Sequence, residues 1–323
     1  MNDAKEKRAL LEEVARVAEA AASAAGSVIT DIRSSGKLKV SIKPDTTLVT
    51  TADTEAERLI IGRIKEHFPS HKILSEENYP QLEPVHLGQG PLWVIDPLDG
   101  TTNYARGHNQ VAVSIAFVLD GVVEYGIVHA PFQNETFSAE RSGNAYLNGR
   151  IIEVSKPVGL KSALIATGFA YRRSDVALLV KRVQAVLEHC QDLRRVGAAA
   201  LDICWVASGR LDGFYESLNP WDMAAGLLIA KQAGAKAGRL AAQEETKLPP
   251  RLEWTGTLSG QPHNIRRLVA HPEQRRDVRA IAPPLPRRKF PLLLPFPRGL
   301  RSASPNFPGR FYNRYTTAPP AWR

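Results

Sequence analysis

Apolar positions recur every three or four residues from Lys7 to Thr30, in a stretch rich in Ala, Leu and Glu, and predict a long amphipathic helix over residues 7–30. "SIKPDTTLVTTAD" (Ser41–Asp53) reads as a turn and a short extended piece. The repeat resumes in "TEAERLIIGRIKEHFP" from Thr54, a second helix that Asp53 or Thr54 can cap. The pattern then shortens to strands. "HKILSEEN" and "LWVIDPLDG" are apolar runs that end in acids, and "QVAVSIAFVLDGVVEYGIVHAP" is a strand pair about the turn Asp120–Gly121. "NETFSAERSGNAYLNGR" continues as a hairpin around Gly143. Helical spacing returns at Asp175–Cys190 and Ala198–Ala207, "GRLDGFYE" turns into a short strand, and Trp221–Ala235 is a helix stopped near Gly234. The expected class is α/β (α+β), layered, with antiparallel hairpins prominent.

The last 43 residues break the pattern. From Ile281 they hold ten prolines and no sustained period, a composition that favours extended or disordered chain, or else a basic proline-rich binding arm. Charge follows the same division. From Lys236 onward there are 17 Lys or Arg against 5 Asp or Glu, which, against +9 for the whole chain, leaves −3 for the first 235 residues. The basicity therefore belongs to the tail, and without a basic aromatic-interleaved stripe in the main body, nucleic-acid binding is expected at most through residues 281–323. Two cysteines, Cys190 and Cys204, specify no disulfide framework and fit a reduced compartment. The charged N-terminus and the lack of any 18-residue apolar run read as a soluble, cytoplasmic chain with no membrane partner.

The acids carry the chemistry. Glu76 and Glu77 end one expected strand, Asp96 ends another, Asp99 opens the turn after it and Asp222 starts a late helix. Carboxylates converging from separate strand ends and helix starts repel unless ions neutralise them, which is what a hard-cation site requires. Pro97 fixes the chain between Asp96 and Asp99 and could aim the Leu98 carbonyl inward as a further oxygen ligand. Gly100, Thr101 and Thr102 open a helix whose first amides can hold a phosphate. Metal-assisted phosphate hydrolysis needs these parts together.

"WVIDPLDGTTNYARG", "SEEN", "LVTTAD" and "WDMAAG", in this order and spacing, resemble the inositol monophosphatase family of magnesium-dependent, lithium-sensitive phosphatases over residues 8–240. The resemblance implies a layered αβαβα sandwich of mixed, largely antiparallel sheets, a homodimer, and hydrolysis of small phosphorylated polyols or sugars with two to three Mg2+ ions. It places metal ligands on Glu76, Asp96, the Leu98 carbonyl, Asp99 and Asp222. It implies a water-activating pair, Thr101 with Asp53, and a phosphate seated on Gly100 and Thr101. Lys43 resembles a family lysine near the ions and reads equally as a solvated turn residue. The expected division is a metal-site portion of about 1–150, a second portion of about 151–240, an atypical stretch 241–280 and the tail.

On the alcohol side the family's "GSAA" or "GTAA" is here "GAAA" (Gly197–Ala200), so Ala198 lacks a hydroxyl, and Glu216 stands one residue nearer Asp222 than the family glutamate does. Inositol monophosphate ranks first because "DPLDGTTNYARG" resembles that branch. Histidinol phosphate, fructose 1,6-bisphosphate and 3'-phosphoadenosine 5'-phosphate are the alternatives. A phosphatase-like regulatory protein that binds RNA or a protein partner is the alternative of another class. After "KQAGAKAG" the family's closing strand and helix are not legible, as a frame shift near residues 236–250 or true divergence would produce, and if they are missing the sheet loses an edge and a covering element there.

Overall fold

The first apolar stripe forms helix α1, Asn2–Ser34, in the computed structural model, which describes residues 2–43, 47–77, 88–156, 159–169, 176–239 and 254–259. Leu11, Val14, Ala18, Ala21, Ala25 and Ile29 are buried along one face of it. A small antiparallel hairpin follows, β1 (Val40–Ile42) with β2 (Leu48–Thr50), and runs directly into α2 (Thr51–His67). The cap of α2 is Thr50, one turn before the expected Asp53 or Thr54. Its hydroxyl accepts from the Ala52 amide at 3.1 Å, and Asp53, at the third helical position, accepts the Thr50 amide at 2.8 Å. This is a capping box, and it takes Asp53 out of the cap position and holds its carboxylate at the start of the helix.

Seven strands lie side by side in chain order: β3 (Lys72–Ser75), β4 (Pro91–Asp99), β5 (Ala112–Leu119), β6 (Val122–Ala130), β7 (Glu135–Glu140), β8 (Ala145–Leu147) and β9 (Arg150–Ile152). β3 and β4 pair in parallel and the remaining neighbours are antiparallel. A five-residue helix, α3 (Thr101–Ala105), follows β4. The two-residue period of β4 sorts its side chains between two cores. Trp93 and Ile95 join Val113, Ile115 and Phe117 in the core shared with α1 and α2, whereas Leu92 and Val94 join Ala112, Ala116 and Val118 on the opposite face.

That opposite face is covered by α5 (Ala199–Ala207) and α6 (Pro220–Gln232). Beyond them is a second sheet of β10 (Leu164–Thr167), β11 (Asp192–Arg194), β12 (Gly213–Leu218), β13 (Lys236–Arg239) and β14 (Trp254–Ser259), ordered β11-β10-β12-β14-β13. Helix α4 (Val176–His189) packs on its far side through Val186, against Ile165 and Tyr215. The layers are therefore α1/α2, seven strands, α5/α6, five strands and α4, the expected αβαβα order. A further strand follows residue 240, so the sheet is not left open there by the lack of one. β14 pairs antiparallel with β12 from Gly213↔Ser259 to Leu218↔Trp254 and with β13 on its other side. The intervening 240–253, residues 260–280 and the proline-rich 281–323 lie outside the described residues. Among the described residues no helix is long and apolar enough to cross a membrane, and Cys190 and Cys204 are free and buried.

Candidate active site

In a regular strand, Asp96 and Asp99 would point to opposite faces, because three residues is an odd step. β4 solves this with a bulge. Asp96 pairs with Ser114 and Asp99 with Ala112, so one extra residue is inserted at Pro97–Leu98. Pro97 has no amide to offer a ladder and suits the insertion. Both carboxylates then line one cleft of about 400 Å³ together with Glu76, Leu98, Gly100, Thr101, Ala198, Glu216 and Asp222. The structure thus places Asp99 on the strand, where a turn was expected.

Other elements deliver the remaining residues. Glu76 follows β3, whose register beside β4 is fixed by the Glu76 amide on the Ile95 carbonyl at 3.2 Å. Lys43, just past β1, reaches Glu77 at 2.7 Å and Glu76 at 3.4 Å, so it is ion-paired to both acids. Asp222 stands at the third position of α6 behind Pro220 and accepts the Asn219 amide at 2.8 Å. The Thr101 hydroxyl donates to Asp53 Oδ1 at 2.8 Å, with the Leu98 carbonyl 3.2 Å away, while Asp53 Oδ2 accepts the Thr50 hydroxyl at 2.6 Å. Gly100, the cap of α3, has φ +90°, and a Cβ there would meet the Gln110 carbonyl at 2.9 Å. Only glycine takes that conformation freely.

Burial dominates the electrostatics. It pushes the Glu76 carboxyl up to about 7, with Lys43 opposing and Glu77 and Asp53 reinforcing. It pushes Asp99 to about 6 even though the Ala200 and Ala199 amides bond its two oxygens at 2.7 and 3.1 Å. Asp96 is raised well above the ordinary range by burial and then by Glu76, Asp99 and Asp222; Asp222 is raised by burial and then by Asp99 and Glu76. Four carboxylates thus disfavour one another's charge in one cleft. An oxygen-rich, mutually repelling donor set with a carbonyl beside it suits a hard divalent cation. Among the described residues no three His, Cys, Asp or Glu side chains are gathered, as they stand, tightly enough to hold an ion. Asp96 accepts the Leu98 amide at 3.0 Å, Asp99 accepts amides at the start of α5 and Asp222 accepts the Asn219 amide. Each carboxylate keeps lone pairs beyond these bonds, and the donors fit the ion by chemistry.

A family model described as the inositol monophosphatase family matches residues 10–275. The chain belongs to the inositol monophosphatase family. The match runs past residue 240, where the sequence motifs ended, and takes in β14. Among curated relatives, "Nus factor SuhB" of Vibrio cholerae is 39% identical over 222 residues, 67% of this chain and 80% of that protein. "Inositol monophosphatase 1" of Solanum lycopersicum is 38% identical over 228 residues, covering 69% and 83%. The solved inositol monophosphatase of Anabaena is 31% identical with a TM-score of 0.68, over 81% of this chain and 95% of that one.

Of the residues that were expected to form this family's site, Asp53, Glu76, Asp96, Leu98, Asp99, Gly100, Thr101 and Asp222 stand in or directly behind the cleft, and Ala198 and Glu216 line it too. Sequence reasoning missed Arg195, Asp202 and Gly168 in the lining. Asp202 was hidden inside an apolar helical run and Gly168 sits in a featureless strand end, so neither offered a local signal. His129 does not line the cleft; its ring nitrogen bonds Thr136 at 2.9 Å.

Proposed function

We propose that this chain is a magnesium-dependent phosphomonoesterase whose preferred substrate is an inositol monophosphate. The observation that carries the reading is the Thr101–Asp53 hydrogen bond standing beside four facing carboxylates. The ligands would be Glu76, Asp96, the Leu98 carbonyl, Asp99 and Asp222, for two to three ions. Magnesium, when held there, neutralises phosphate oxygens and acidifies the attacking water.

The chain's own part is to place that water. Thr101 has one hydroxyl proton, and Asp53 Oδ1 takes it at 2.8 Å, so the hydroxyl can meet the nucleophile only as an acceptor. Asp53 is in turn held by the Thr50 amide and hydroxyl, which keeps the Thr101 proton directed at Asp53, so a water proton can pass to Thr101 Oγ1 while the Thr101 proton passes to Asp53 Oδ1. Gly100 and Thr101 seat the phosphate through the first amides of α3, which have no partner within that helix. Attack is in line, directly on phosphorus, and the alcohol leaves toward Ala198 and Glu216.

The same reading carries lithium sensitivity, a homodimer and a cytoplasmic location. The second reading, a regulatory protein acting through a partner, is favoured by the relative named Nus factor SuhB. Phosphate release from inositol 1-phosphate, histidinol phosphate, fructose 1,6-bisphosphate and 3'-phosphoadenosine 5'-phosphate, with and without magnesium, tests the first. Its failure in folded protein, together with steeply salt-dependent RNA retention that disappears on removing residues 281–323, would favour the second.

A further inference from the structure

Helix α3 has five residues, too few to hold a direction by itself, yet its first residues are those that the reading above sets against water and phosphate. The Thr101 hydroxyl on Asp53 fixes its N-terminal end. The other end is met by Arg33, in the last turn of α1. Arg33 Nη2 donates to the Tyr104 carbonyl at 3.3 Å and to the His108 carbonyl at 3.0 Å, and Nη1 donates to Asn109 Oδ1 at 3.1 Å. The guanidinium carbon lies 4.4 Å from the centre of the Tyr104 ring and 4.0 Å from that of Phe132, so two aromatic faces set the plane of the fork. A cation in the last turn of a helix can serve that helix's own free carbonyls. These three hydrogen bonds go instead to α3 and the turn behind it. The Tyr104 hydroxyl answers from the other side, donating to the Ile29 carbonyl of α1 at 2.7 Å, and Tyr104 is fully buried. The Tyr104 amide in turn donates to the Gly100 carbonyl at 2.9 Å, so the residue that Arg33 grips is one helical hydrogen bond from the phosphate end.

We propose that Arg33 is a positioning residue for phosphate: it clamps the C-terminal end of α3 and the turn after it, and so sets the tilt of the helix whose first residues receive the phosphate. The inference rests on the phosphatase reading above and adds to it a residue outside the lining of the cleft. Thr101 keeps its bond to Asp53 without Arg33, so loss of the clamp lets α3 pivot about Thr101. The water stays placed and the phosphate loses part of its seat. Lysine does not replace the arginine, because one ammonium cannot span three acceptors while lying flat on two rings.

The test uses the full chain with magnesium and, of the four esters above, the one that wild type hydrolyses fastest. KM, kcat and competitive inhibition by inorganic phosphate are measured, and hydrogen exchange over residues 100–109 is followed without metal. Arg33→Met is expected to raise KM and the inhibition constant of phosphate together by about fivefold or more, with kcat within about twofold of wild type. Exchange over 100–109 should quicken while α2 keeps its wild-type protection. A merely structural role would lower kcat with the folded fraction and leave KM and the phosphate constant where they were. Arg33→Lys should behave as Arg33→Met does, and serves if the methionine variant does not fold. Unchanged constants in both variants, or full recovery of them by Arg33→Lys, overturn this inference and leave the phosphatase reading standing. No phosphate released by wild type from any of the four esters overturns both.

Discussion

Replacing Glu76 by Gln should stabilise the metal-free protein and abolish its response to magnesium. In the folded chain burial lifts this carboxyl from 4.5 to about 7. Between those values the folded state holds a proton that the unfolded chain has released, so raising the pH through that window destabilises the fold. One pKa unit is worth about 1.4 kcal/mol, so the rise amounts to about 3 kcal/mol of stability, present below pH 4.5 and lost by about pH 7. The side chain is a quarter exposed and shares its repulsion with Asp96, which makes about 2 kcal/mol the more realistic yield of the substitution. Lys43 keeps Glu77 at 2.7 Å, so the variant does not leave a cation stranded. The assay is urea unfolding in EDTA from pH 5 to 8, repeated with magnesium. Wild type should lose stability with rising pH in EDTA and regain it with magnesium. Glu76→Gln should show a shallower slope, higher stability at pH 8 in EDTA, and little gain from the ion. A wild-type stability that rises with pH across this window, or a variant no more stable than wild type at pH 8 without metal, would refute the reasoning.

Thr101→Val should lower kcat about a hundredfold or more while KM changes little, and Thr101→Ser should restore most of it; steady-state phosphate release reads both. The same Val variant leaves Asp53 Oδ1 buried without its donor and should cost about 1–3 kcal/mol in denaturant titration. Gly100→Ala forces a side chain into φ +90° and onto the Gln110 carbonyl, so a drop of about 1–3 kcal/mol is expected, with activity falling in the folded fraction as α3 shifts. Gly168→Ala puts a methyl where the Glu216 carboxylate lies; the flexible acid yields, the fold survives, and KM for a polyol monophosphate rises about tenfold with kcat nearly unchanged.

Much of the layering was legible because period-two and period-3.6 patterns are strong where one face of an element is buried. The β5–β6 hairpin, with Asp120 at φ +49° and Gly121 at φ +74°, sits where "LDGV" places it, and α6 begins at the Pro220–Asp222 stretch that reads as a helix start. The site was legible for a related reason: "DPLDG" bears its bulge, its proline and its left-handed glycine within five residues. What could not be read was whatever depends on two distant segments meeting. Thr50 and Asp53 compete for one cap on equal local terms, and the answer is set by Thr101 pulling on Asp53 from β4's end. β14 was invisible because "EWTGTLSG" alternates weakly, and its place is fixed by an open edge of β12 far back in the chain. Asp202 reads as one polar residue on a buried helix, and only the fold sets it beside Glu216 and Arg195.

The central claim is that Asp96, Asp99 and Asp222, with Glu76, hold the ions that let Thr101 and Asp53 deliver water to a phosphate monoester. Phosphate release from inositol 1-phosphate, followed for wild type and Asp99→Asn across a magnesium titration, tests it most directly. The account predicts magnesium-dependent turnover by wild type that saturates with the ion, and a loss of about a hundredfold or more in Asp99→Asn with the fold retained. Turnover that is indifferent to magnesium, or that Asp99→Asn leaves intact, would contradict it.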